Sequence, residues 1–74
     1  MPKVPRITAR QMATVLERLG FSLTRQSGSR QIYWNAADRR ATLPFHVAKI
    51  LHPKVLKSIM RDADLTVEDL EKLL

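Results

Sequence analysis

Arg25, Arg30, Arg39 and Arg40 fall within a sixteen-residue stretch that also holds Ser29, Tyr33 and Trp34, with His46 six residues beyond it. Each guanidinium is planar, permanently charged and shaped to donate two parallel hydrogen bonds to one phosphate. Phenol and indole rings offer flat faces on which a nucleobase stacks. His46 sits between Phe45 and Val47, straight after an expected strand, and its imidazole titrates near neutral pH. These types describe phosphate binding with base stacking, and acid–base chemistry centred on His46. Ser29, beside Gly28, is placed to orient a bound backbone. The plainer alternatives are a solvated basic face for the arginines and a core place for Trp34, because neighbours on a strand point to opposite faces.

Other chemistries are excluded or unsupported. The chain has no cysteine, so it holds no disulfide and no thiolate metal site. His46 and His52 are six residues apart, which is not a zinc spacing, and no glycine-rich phosphate loop is present. No metal and no cofactor is expected. His52, next to Pro53, reads as a helix-start residue.

Charge points to the partner. Thirteen Lys and Arg oppose seven Asp and Glu, for a net charge of +6. Residues 1–61 carry twelve basic and two acidic side chains, whereas 62–74 carry one basic and five acidic. A basic body with an acidic C-terminal segment suits a polyanion such as nucleic acid. No apolar run approaches the ~18 residues of a membrane span, and MPKVPRIT lacks the apolar stretch of a signal peptide. A cytoplasmic protein without membrane contact is expected.

The elements that must position these residues are legible as periodicities. Pro2 and Pro5 keep Val4 to Thr8 extended. Thr8 and Gln11 form a capping-box pattern, and Met12, Val15, Leu16 and Leu19 repeat at helical spacing up to Gly20. A helix is expected over 9–19. Strands follow over 21–26, 30–35 and 40–43, joined by the SGS turn at 27–29 and a less typical turn at 36–39. Residues 45–51 read as irregular. Leu56, Ile59, Met60 and Ala63 mark a helix over 53–63, and Thr66 with Val67, Leu70 and Leu74 a short last one. The chain of 74 residues is one α+β domain, 1–74, a three-stranded antiparallel sheet with helices on one face.

LERLGF, RQSGSR, TLPFH and LHPKVLKSIMRDADLT, in this order and spacing, resemble the HicA toxins, the YcfA-like group. The most specific blocks are Gly20-Phe21, Arg25-Gln26-x-Gly28-Ser29 and Pro44-x-His46, and the likeness runs over residues 7–74. The resemblance implies a double-stranded-RNA-binding-domain-like α-β-β-β-α fold, here with a short extra C-terminal helix. It implies a metal-independent endoribonuclease that cuts mRNA, and a HicB antitoxin as protein partner. By the same resemblance the catalytic histidine follows the Gly-Ser pair, and this chain has Arg30 there. Arginine stays protonated and cannot serve as a general base, although it can stabilise charge on phosphorane oxygens. Three readings follow. The chain is a weak or silent homologue, His46 supplies the base, or Arg30 is a change introduced so that a toxic protein could be expressed. The site set is therefore Arg30 and His46 for catalysis, and Arg25, Ser29, Arg30, Arg39 and Arg40 for RNA.

Overall fold

Thr8 starts the first helix as its spacing with Gln11 predicts. Its Oγ1 accepts from the Gln11 amide at 3.2 Å, and Gln11 Oε1 accepts from the Thr8 amide at 2.8 Å. Two otherwise orphaned donors of the first turn are thereby satisfied. The computed structural model describes residues 5–45 and 50–74. Its elements run α1 (Ala9–Arg18), β1 (Ser22–Ser27), β2 (Arg30–Trp34), β3 (Arg40–Pro44), α2 (Pro53–Asp62) and α3 (Val67–Leu73). This is the expected α+β order, with boundaries shifted by a residue or so.

α1 and α2 end in the same way. After α1, the Phe21 amide donates to the Leu16 carbonyl at 2.9 Å and the Gly20 amide to the Glu17 carbonyl at 3.0 Å. After α2, the Leu65 amide donates to Met60 at 2.8 Å and the Asp64 amide to Arg61 at 3.2 Å. Both are Schellman closures, which need a left-handed residue just past the cap. Gly20 fills that place at φ +96° without steric cost, whereas Asp64 holds it at φ +55°. Gly20→Ala is expected to cost about 1 kcal/mol, and Asp64→Gly to change stability in the favourable direction by up to about 1 kcal/mol. Urea unfolding of the two variants checks this, and equal shifts for both would refute the argument.

His52 caps α2, its Nδ1 accepting from the Lys54 amide at 3.1 Å, with Pro53 in the first turn. Thr66 caps α3 through the Asp69 amide at 3.1 Å. Arg18 of α1 donates to the Leu73 carbonyl at 2.6 Å and ties down the far end of α3. The stripe expected to end at Leu74 ends instead at the partly buried Leu73. Leu74 is the C-cap, past the last helical turn, and stays exposed.

The sheet is antiparallel in the order β1-β2-β3. α1 and α2 pack over β3, and α3 packs on α1. Between these layers lie Met12, Val15, Leu16, Leu56, Ile59, Leu70, Ala41, Leu43 and Tyr33. The helices stop short of β1, all of whose residues are exposed. Leu23 lies opposite the buried Tyr33 yet is 47% exposed, because little covers it.

Candidate nucleic-acid interface

The register of the strands decides which side chains share a face, since directly opposed residues point the same way. Tyr33, Ala41 and Leu43 are buried under the helices. Arg30, Ile32 and Trp34, which alternate with Gln31 and Tyr33, therefore point away from the helices. The pairings then order the helix-free face into three rows. Ser27, Arg30 and Pro44 form one, Arg25, Ile32 and Thr42 the next, and Ser22, Trp34 and Arg40 the third. Arg25 and Arg30 are diagonal neighbours, roughly 7–8 Å apart at the backbone.

Arg25 owes its side to an irregularity. Simple alternation would put it with Leu23, on the helix side. The pairing instead steps from Leu23–Tyr33 to Arg25–Ile32, leaving Thr24 as an extra residue. Such a bulge reverses the alternation of everything beyond it. Thr24 Oγ1 donates to the Ile32 carbonyl at 3.1 Å and holds the bulge to β2. The same shift leaves Gly28 and Ser29 as the two central residues of the hairpin, opposed by the pair Ser27–Arg30. Gly28 has φ +59°, and Ser29 does not share the left-handed region. Positive φ at the first of two central positions marks a type II′ turn, which matches strand twist.

The other sequence-predicted residues distribute as follows. Ser29 lies in the exposed turn, and its carbonyl accepts from the amide of Phe45, so the chain leaves β3 beside Arg30. His46, the next residue, lies outside the described residues. Arg40 joins the open face, its guanidinium carbon 6.0 Å from the centre of the Trp34 ring. Arg39 does not join them. Its Nη1 donates to the Asp62 carbonyl at 3.2 Å, at the C-terminal end of α2. A cation there also complements the helix dipole.

Tyr33 is corrected from a stacking surface to a core residue. It is 2% exposed, and its hydroxyl donates to Gln31 Oε1 at 2.8 Å. Burial, and secondarily the Glu17 carboxylate, raises its pKa above the ordinary phenol value. Asn35, expected as the last residue of a strand, is the organiser of the second turn. Its Oδ1 accepts from the amides of Ala37 at 3.1 Å and Arg39 at 2.8 Å, with Asp38 at φ +62°. Among the described residues no group of three or more His, Asp or Glu is disposed to hold a metal ion, and no helix is long and apolar enough to cross a membrane.

Residues 9–65 match the family model described as HicA toxin of bacterial toxin-antitoxin. The chain belongs to the HicA toxin family. The match begins with α1 and ends just past α2, so it takes in the whole sheet and both helices that pack on it. A HicA toxin is one half of a toxin-antitoxin pair, which gives this protein an antitoxin as its natural partner. Among curated proteins, no relative matches the chain.

Proposed function

We propose that this HicA-family protein binds mRNA on its helix-free sheet face, with Arg25, Arg30 and Arg40 on phosphates and Ser29 steering the strand past the turn. The observation that carries the reading is the register, which turns three cations and an indole to one side. The acidic α3 packs on the far side of the molecule against α1, so its field orients an approaching polyanion toward the sheet. Arg39 acts indirectly, fixing the second turn to α2.

The cleavage step expected of such a site is an internal transfer. A base removes the proton of a ribose 2′-hydroxyl, the oxygen attacks the adjacent phosphorus, and the bond to the 5′-oxygen breaks as that oxygen takes up a proton. The products are a 2′,3′-cyclic phosphate and a 5′-hydroxyl, and the chain itself needs no metal or cofactor for it. Arg30 stabilises the phosphorane charge in this scheme but cannot take the first proton. His46, whose imidazole is the right type of group, is the acid–base candidate. Turnover is then slow, and binding is the dominant property. The HicB-like antitoxin would silence the toxin by covering the same basic face.

Anisotropy of a labelled single-stranded RNA, measured over a range of salt, tests the binding. Three phosphate contacts predict a log–log slope of about −2, and each of Arg25→Ala, Arg30→Ala and Arg40→Ala should flatten it by about 0.7. Arg39→Ala should leave it unchanged. A slope near zero in the parent protein would refute the reading.

A further inference from the structure

We infer that Trp34 is a base-stacking subsite, so that the open face grips an unpaired nucleobase and discriminates single strands from duplexes. This deepens the RNA reading above and rests on it.

The chain has one tryptophan. A domain this small gains most by burying such a residue. Trp34 is nevertheless 37% exposed on the side the helices leave bare, while the adjacent Tyr33 fills the core. Its row contains Ser22 and Arg40, and Ile32 is the next residue along the same face. Ser22 is too short to cover the indole from the β1 side. The Arg40 guanidinium carbon lies 6.0 Å from the ring centre, and the part of the indole that stays exposed is what a base would meet. A flat apolar ring with a guanidinium beside it is the combination that binds bases without reading their edges.

The spacing along β2 adds a constraint. Arg30 and Trp34 are four strand residues apart, roughly 13 Å. That is longer than the step between adjacent phosphates, so the open face has room for more than one nucleotide. A strand running along β2 from Arg30 to Trp34 would pass Arg25 between the two ends. A duplex keeps its bases inside and cannot present one to the indole without unpairing.

The single indole makes the subsite its own reporter. The full chain is titrated with labelled oligouridylate, with a blunt RNA duplex of equal length and with an abasic ribose-phosphate oligomer. Anisotropy reports binding and tryptophan emission reports stacking. Oligouridylate is expected to bind and quench emission, while the duplex and the abasic oligomer bind through charge without quenching. Trp34→Leu should weaken oligouridylate binding about 5- to 150-fold but leave abasic binding unchanged, and Trp34→Phe should restore part of the loss. Unaltered melting of both variants confirms that they fold. Binding of oligouridylate with a silent indole, or equal quenching by the duplex, overturns the subsite alone. Absence of binding by all three probes overturns the RNA reading and this inference with it.

Discussion

Replacing Arg30 by histidine is expected to raise the rate of RNA cleavage by about 10²–10⁴-fold, the usual worth of a positioned general base. The position is suited to the change. Arg30 is the first residue of β2, directly after the Gly28-Ser29 turn, and it is exposed on the helix-free face. Its neighbours in the row are the small Ser27 and the donor-less Pro44, neither of which competes for an imidazole. A histidine with an ordinary pKa near 6.5 is largely neutral at pH 7 and can accept the 2′-hydroxyl proton. The rate of the variant should therefore climb with pH through about 6–7 and level off, whereas the parent should show no step from position 30. Cleavage is followed as 2′,3′-cyclic phosphate ends on single-stranded RNA under single-turnover conditions. Equal rates for parent and variant would remove position 30 from the chemistry. Adding His46→Ala to each background then separates a base at 30 from one at 46. In the parent the change should abolish residual cleavage, and in the Arg30→His protein it should matter less.

Leu43→Ala should be the most damaging single change to stability. Leu43 is fully buried on β3, the strand both α1 and α2 pack against. Truncating such a residue costs about 2–5 kcal/mol, partly for lost transfer and partly for the cavity left behind. A chain this long has a total stability of roughly 4–11 kcal/mol. The melting temperature should fall by about 13–32 °C. Thr42→Ala, one residue away but on the open face, serves as the control and should cost under about 1 kcal/mol. Thermal denaturation by far-ultraviolet circular dichroism compares them, and similar losses for the two would contradict the assignment of faces.

Those faces mark the boundary of what could be read from residues alone. The caps at Thr8, His52 and Thr66 were legible because each depends on contacts three residues or fewer away. The helical stripes were legible for the same reason. Tyr33 and Trp34 are alike in type and adjacent, and their opposite fates depend on which side of the sheet the helices cover. Arg39 and Arg40 form a second such pair, one turned to the end of α2 and the other to the indole. Alternation misplaces Arg25, because the surplus residue at Thr24 leaves no mark in the pattern of apolar positions. Asn35 reads as the tail of a strand, whereas its side chain accepts from two turn amides.

The offset at Thr24 also bears on how copies of the protein behave toward one another. Among the described residues β1 is an outermost strand of the sheet, and its Leu23 is exposed. Edges of that kind recruit further strands and seed fibres. One residue too many breaks the even cadence of donors and acceptors that an incoming strand would need, and twists the rim away from it. Arg25 adds a charge that a docked neighbour would have to bury. The feature that turns Arg25 to the helix-free face thus also works against neighbouring copies of the chain pairing edge to edge.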